Sequence, residues 1–419
     1  MREGEGKSDS MTVAVIGGGP AGLAAALSAY NEGVNVVVLE RNTELGGILP
    51  QCIHVGFGNF IFGEMLTGPE YAQRYIDKIK KTDIDIKLGT MVIDITGKRI
   101  TAVNKEGIMK IDAEAIVLAM GCRERTRSQI RLPGDRPSGI FTAGVAQRYI
   151  NMEGLLPGKN VVVLGSGDVG LIMARRFTLE GAHVEGVYEI LPHPGGLTRN
   201  VVQCLHDYDI PLHLSHTITN IKGKNRVEGV TVAQVDENWN VISGTERDIP
   251  CDTVILSVGL IPENELSTGM DIKIDPRTGG PVVDENMETM VPGVFACGNV
   301  VHVHDLVDDV SEAADTAGKG AAHYVTGDIT RRDNPIRINP GKNVAYAVPH
   351  IIRGEPEKEI TVYLRVKKTE KDVHVVARSE KILSKKKLRI VKPPEMVTVQ
   401  ITPDILPSVK DELKIDIEK

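Results

Sequence analysis

The sequence has few of the features that mark several large protein classes. Its five cysteines, Cys52, Cys122, Cys204, Cys251 and Cys297, are scattered, and no two have CxxC or CxxxxC spacing. That argues against a structural zinc, an iron–sulfur cluster, a dithiol redox centre or a disulfide-stapled secreted fold, and no metal is expected. Aromatic residues make up only 4% of the chain, too few to interleave with its basic runs as nucleic-acid binding requires. No apolar run is long enough to span a bilayer. The polar start, residues 1–10, has neither the apolar core nor the cleavage pattern of a signal peptide, so it reads as a disordered tail, with Met11 available as a second start. These absences point to a cytoplasmic protein.

What is present is organised around Thr12 to Arg41. A β-branched strand runs into Gly17, Gly19 and Gly22 at GxGxxG spacing. A small-residue helix follows as far as Gly33, then a second strand closed by Glu40. The first glycine permits a tight turn, the second lets backbone approach a pyrophosphate, and the third lets the helix pack close on its strands. The helix N-terminus then points free N–H groups at phosphates, and Glu40 is placed to accept a ribose hydroxyl.

The pattern repeats about 148 positions on: Gly165, Gly167 and Gly170 hold the same spacing, Gly181 stands for Gly33, and Glu189 for Glu40 after one inserted residue. Two dinucleotide-binding units imply two dinucleotides, and one usual solution is a resident flavin with a visiting nicotinamide. Two apolar strands ending in glycine, Ala115 to Gly121 and Thr253 to Gly259, mark where the chain passes between units. A third runs from Pro292 to Val300, and a small-residue helix is expected from about Ser311 to Tyr324.

The order GGGPAG, Glu40, LGG (Leu45 to Gly47), AMG, GSGDVG, SVGLIPEN and VFACGN resembles the pyridine nucleotide-disulfide oxidoreductase superfamily over roughly residues 11–330. GGILPQCIHVGFG, GCRERTR and FTAGVAQRYIN are similar to the NADH-linked flavoprotein subunits found beside glycerol-3-phosphate dehydrogenase-like partners, relatives of opine oxidase and hydrogen cyanide synthase flavin subunits. The resemblance implies an α/β fold with two Rossmann-like domains, to which the strand pattern beyond residue 330 adds a β-rich C-terminal module. A discontinuous FAD domain would cover 11–125 and 251–330 and an NAD domain 126–250, leaving 331–419 as an assembly module read from its charge and strand pattern. It places Gly17, Gly19, Pro20, Ala21, Gly22, Glu40, Arg41, Gly47, Ile48, Val92, Gly121, Gly298 and Asn299 around FAD, and Gly165, Gly167, Asp168, Val169, Gly170, Glu189 and Gly259 around NAD. Glu312 and Ala313 would offer N–H groups at the N-terminus of the late helix to the negative charge of reduced flavin. Two departures stand out: Gly298-Asn299 replaces the family's usual Gly-Asp, and the paired cysteines of the disulfide reductases are missing.

Charge decides between the nicotinamide cofactors. Glu189 would repel a 2'-phosphate, and Arg199 is the first cation after it, so NADH is favoured over NADPH. Cys52 is either a redox thiol beside the flavin or a structural cysteine, the second being preferred. In VVHVHDLVDD, alternation sets His302 and His304 on one face, as a proton donor or partner-facing edge, His304 being the catalytic candidate; a solvated loop is the other reading. Arg123, Glu124, Arg125 and Arg127 are read as a solvated ion-pair network in preference to a phosphate clamp.

Residues 331–419 carry 20 Lys and Arg against 13 Asp and Glu, a net +7; the whole chain is −7, so the remainder is −14. Ile360 to Val366, Val373 to Val376 and Val397 to Ile401 alternate like strands of an antiparallel module, and Ser384 to Arg389 is its densest basic run. Docking on an acidic partner subunit and a solvated basic surface are both open. The module is expected to leave the flavin half-reaction untouched. The chain is therefore read as an NADH-dependent FAD flavoprotein, the electron-transfer subunit of a hetero-oligomeric dehydrogenase with a glycerol-3-phosphate dehydrogenase-like flavoprotein partner. The alternatives are a self-sufficient NADH oxidase reducing oxygen and a flavin-bearing scaffold with a vestigial NAD site.

Overall fold

The computed structural model describes residues 12–419; the expected tail 1–10 and Met11 lie outside the described residues. The chain forms two compact units. One ends its first segment at Cys122 and resumes from Pro262 to Lys419, and the other is Arg123–Ile261.

In the first unit, Val- and Ile-rich runs buried on both faces form a parallel sheet. Its order is Val294–Ala296, Ala115–Leu118, Thr12–Ile16, Asn35–Leu39, Asp85–Lys87. Small residues allow the helix Pro20–Asn31 to lie against Val307–Thr326: a Cβ on Gly318 would stand 2.3 Å from the Ala25 carbonyl oxygen. An antiparallel sheet, Met91–Thr96, Arg99–Asn104 and Gly107–Asp112, completes this half.

The second unit repeats the plan. Its parallel sheet runs Ile140–Thr142, Thr253–Leu256, Asn160–Leu164, His183–Glu189, Leu212–Leu214, beside an antiparallel sheet of His216–Lys222, Gly229–Gln234 and Arg247–Pro250. Thr253–Leu256 pairs with Asn160–Leu164 and so belongs here. The crossings thus fall at 122/123 and 261/262, where the sequence reading put them at 125/126 and 250/251. The apolar run marks a strand that completes the second sheet before the chain leaves it.

Residues 331–419 group with the first unit. Two sheets enclose a core that includes Val362, Leu364, Val375 and Ile415. The expected strands appear as Ile360–Val366, Glu370–Arg378 and Val397–Ile401. The pairing is mixed, because Ile336–Pro340 runs parallel to Glu412–Glu418. The basic run lies in Ile382–Val391, an edge strand with Lys385, Lys386 and Lys387 exposed. Lysines there also discourage pairing with a foreign strand.

This region is fastened to the five-stranded parallel sheet of its own unit by ion pairs to buried carboxylates. The Arg353 guanidinium reaches Asp284 at 2.7 Å and Glu288 at 3.2 Å, and Arg331 reaches Glu288 at 2.6 Å. His350 Nε2 lies 3.0 Å from Asp275 Oδ2. Burial and the neighbouring Glu285 push the Asp284 carboxyl up to about 7. Asp275 is held below the usual carboxylate range by hydrogen bonds from His350 and Arg277, which outweigh its own burial.

Candidate cofactor sites

The first glycine turn has no room for side chains. A Cβ on Gly22 would stand 1.7 Å from the Gly17 carbonyl oxygen, and one on Gly47 2.9 Å from the Gly19 Cα. Gly19 caps the helix Pro20–Asn31, and Leu23 is the first residue to donate within it, to Gly19 O at 2.9 Å. Pro20 has no N–H to orphan, so the helix presents the amides of Ala21 and Gly22. A trough without Cβ atoms, ending at unspent amides, suits a pyrophosphate.

Glu40 closes the second strand, buried, with Oε2 accepting the Gly18 N–H at 2.6 Å and Oε1 the Asn42 N–H at 2.7 Å. Each oxygen keeps lone-pair capacity for a hydroxyl donor. Arg41 beside it is exposed. Val92 is buried two residues after Thr90, whose N–H donates to Glu40 O at 2.8 Å. Gly121 follows the strand Ala115–Leu118 with φ +73° and open space where a side chain would stand.

Gly298-Asn299 comes to the same turn, since a Cβ on Gly298 would lie 2.9 Å from Ala21 Cβ. Asn299 is held at both ends of its amide: Nδ2 donates to Cys122 Sγ at 3.6 Å, and Oδ1 accepts the His304 N–H at 3.0 Å. The late helix starts at Val307, four residues before the expected Ser311. The amides of Glu312 and Ala313 are therefore inside the helix and spent on its own carbonyls, a correction to the sequence reading; the open N–H groups belong to Val307–Asp309. The small-residue run begins only at Ser311, and the acidic first turn, Asp308 and Asp309, is the start signal that the sequence reading passed over. Asp308 accepts the N–H groups of Gly58 at 3.2 Å and Ile61 at 3.1 Å, pinning the loop after Ile48. Asp309, which sequence reasoning missed, is pushed up to about 6 by burial and the carboxylates of Glu312, Asp305 and Asp308.

Cys52 is half-buried, its Sγ 3.5 Å from the Ile48 carbonyl, and burial pushes its thiol up to about 12. That favours the structural cysteine, because the thiolate is the redox-active form. His302 and His304 are buried, at 1% and 8% exposure, with ring centroids 4.0 Å apart. They form neither a solvated loop nor a partner-facing edge. Burial lowers the His304 imidazole to about 3, so at neutral pH it is no imidazolium acid.

In the second unit, a Cβ on Gly165 would meet Ser257 O at 2.2 Å, and one on Gly170 would meet Ser257 Cβ at 2.4 Å. Gly167 caps the helix Asp168–Leu179, on whose first turn Val169 lies. Glu189 is buried; its Oε2 accepts the Ser166 N–H at 2.8 Å and hydroxyl at 2.6 Å, and its Oε1 the Leu191 N–H at 2.9 Å. Asp168 Oδ1 accepts the Leu197 N–H at 2.8 Å and a hydrogen from Asn200 Nδ2 at 2.6 Å. Ser166 and Ser257 were missed by sequence reasoning: Ser166 Oγ also accepts the Gly195 N–H at 2.7 Å, and Ser257 Oγ accepts the Gly170 N–H at 3.1 Å. Gly259 follows its strand with φ +103°. Two side chains of the charge cluster bind backbone within their own unit. Glu124 accepts the Gly144 N–H at 2.8 Å, and Arg127 donates to the carbonyls of Leu132 at 3.2 Å and Gly134 at 3.0 Å.

Among the described residues no helix is long and apolar enough to cross a membrane, and no group of three or more His, Cys, Asp or Glu is placed to hold a metal ion. Two glycine-turn α/β units, one inserted into the other, define the class of two-dinucleotide folds. The chain belongs to the pyridine nucleotide-disulphide oxidoreductase family, whose model matches residues 11–321. Members of that family depend on FAD and NAD(P). Hydrogen cyanide synthase subunit HcnB of Pseudomonas aeruginosa is 25% identical over 283 residues, 62% of this chain and 59% of that protein. An NADH oxidase of Methanocaldococcus jannaschii is 28% identical over 317 residues, 71% of this chain and 64% of that protein. The chain thus spans about three fifths of the length of the curated relatives it matches. The solved NAD-dependent persulfide reductase from A. fulgidus shares the fold over 95% of this chain and 76% of its own, with TM-score 0.58 and 19% identity.

Proposed function

We propose that the chain binds FAD in the first unit and NADH in the second, and carries hydride equivalents between them as the electron-transfer subunit of a larger dehydrogenase. The observation that carries this reading is the repeated cradle, in which Glu40 and Glu189 each close the second strand of a glycine-turn unit, one oxygen accepting a backbone N–H of that turn and the other the N–H two residues after the acid. Ala21 and Gly22 present amides to the FAD phosphates, Glu40 takes a ribose hydroxyl, and Asn299 offers an amide at the same turn. Glu189 plays the ribose role for NADH, and its charge opposes the 2'-phosphate of NADPH.

When bound, FAD supplies a two-electron acceptor for hydride, a step that needs stacking and orientation more than an acid or base. The chain's part is to fix both cofactors and keep the surroundings neutral. Its buried histidines and the raised Cys52 thiol suit that role.

HcnB is named as a subunit, which supports a partner for this chain, and the partner proposed is a glycerol-3-phosphate dehydrogenase-like flavoprotein. Residues 331–419 would serve that assembly through the exposed lysines of Ile382–Val391. Similarity to an NADH oxidase favours a second reading, in which oxygen takes the electrons directly. Anaerobic reduction by NADH, followed by identification of co-purifying subunits, tests the first reading; rapid turnover with oxygen alone would favour the second.

A further inference from the structure

His302 and His304 lie where the Gly298–Val300 turn meets the C-terminal sheet, walled by Tyr346 and Tyr363. The Tyr363 ring centroid is 5.7 Å from His302 and 5.4 Å from His304, and that of Tyr346 is 5.8 Å from His302. Asp305 ties the wall together, paired with the Arg365 guanidinium and accepting the Met396 N–H at 2.6 Å. His304 Nδ1 faces Asn299 Oδ1 at 3.3 Å. That oxygen can only accept, so the hydrogen is assigned to Nδ1, leaving Nε2 as an acceptor.

Four buried polar atoms here have no hydrogen-bond partner in the protein: His302 Nδ1 and Nε2, His304 Nε2 and the Tyr363 hydroxyl. Leaving all four dry would forfeit a large part of the margin by which a domain is stable. The set is chemically balanced for a neutral guest. His302 brings one donor and one acceptor, His304 an acceptor, and Tyr363 a hydroxyl that serves as either. Arg365 in the same wall disfavours a free cation. Burial holds both imidazoles neutral and the phenol protonated, so the site does not itself carry charge.

We infer that His302, His304 and Tyr363 hold ordered water between the cofactor half and the C-terminal sheet, and that this hydrated joint fixes Asn299 at the cofactor cradle. His304 is a positioning residue acting through Asn299, and Tyr363 brings residues 331–419 into the surroundings of the cofactor. The inference rests on the reading that FAD occupies the first glycine turn. Water is the guest because it supplies both donors and acceptors and fills polar internal sites that lack protein partners.

The test uses the full-length protein purified with FAD. A crystal structure that resolves solvent should show water within hydrogen-bond distance of the Tyr363 hydroxyl and His304 Nε2. A dry pocket, or a stoichiometric metal ion there, overturns the inference. In solution, His304→Gln, which removes the Nδ1 donor, should weaken FAD binding roughly five-fold, the net worth of one hydrogen bond, and shift the flavin midpoint potential. His304→Asn, whose amide replaces Nδ1–H, should restore both. FAD affinity and potential unchanged in His304→Gln would remove the link to Asn299. A wild-type protein that binds no FAD would sink the cofactor reading, and the crystallographic result would still decide the water.

Discussion

Glu189 repeats in the second unit the pair of contacts that Glu40 makes in the first. Each gives one carboxylate oxygen to the middle residue of its glycine turn, Gly18 or Ser166, and the other to the N–H two residues further on. The acid is thus an anchor that holds the turn against the end of the second strand, and in the proposed reading this sets the distance from ribose to phosphate before a nucleotide arrives. The second copy adds the Ser166 hydroxyl, which links the acid to Gly195.

Removing the acid should therefore cost both geometry and selectivity. Glu189→Gln keeps a carbonyl acceptor for Ser166 and loses the charge, whereas Glu189→Ala with Leu191→Arg supplies a cation for a 2'-phosphate. The double variant should narrow the NADH over NADPH preference roughly ten-fold or more, the worth of one charge-assisted hydrogen bond. Ratios of kcat/KM for the two cofactors measure it, and an unchanged ratio would take Glu189 out of the selectivity argument.

The two glycine turns should be separable by single methyl groups. Gly22→Ala places a Cβ against the Gly17 backbone and should cost about 2 kcal/mol or more, with loss of the yellow colour. Gly170→Ala meets Ser257 and should leave FAD bound while abolishing reduction by NADH. Flavin absorbance of the purified variants distinguishes the outcomes.

The repeat itself was plain in the sequence because glycine spacing, strand length and terminal acid are local properties. The start of the late helix was not, because the small-residue run that marks it begins only at Ser311, although Asp308 and Asp309 are the acidic first turn of a helix start; Asp308 also accepts the amides of Gly58 and Ile61, about 250 residues away. The histidine pair could be placed on one face from alternation, but its burial comes from Tyr346 and Tyr363, which only the fold brings near. The expected independence of residues 331–419 from the flavin half fits poorly with this packing: a break near Arg331 would strip Arg353 from Asp284 and Glu288 and uncover His302.

That packing makes a pH prediction. The folded-state pKa of His304 lies at about 3, below its ordinary 6.5, so the unfolded chain binds the proton first. Its contribution is fully present above about pH 6.5 and is lost as pH falls toward 3. His302 acts in the same direction. Asp284, raised to about 7, acts oppositely, its contribution fading as pH rises from 3.8 to 7. Comparison of variants separates them: relative to wild type, His304→Asn should gain about 2 kcal/mol at pH 5 compared with pH 8. Thermal unfolding across that range reads the difference, and parallel curves would mean that His304 is not titrating.

Cys52 should prove redox-silent. Complete anaerobic reduction of the purified protein should consume the two electrons the flavin accepts and no more, in wild type and Cys52→Ser alike. Two further electrons in wild type only would show a working thiol despite its burial.

The most direct test of the central claim is anaerobic stopped-flow reduction of the FAD-loaded protein. NADH should bleach the flavin absorbance to completion, and NADPH at equal concentration should do so at least ten-fold more slowly, as a charge-selective Glu189 requires. A flavin left oxidised by NADH would contradict hydride transfer between the two units and leave the second cradle without a function.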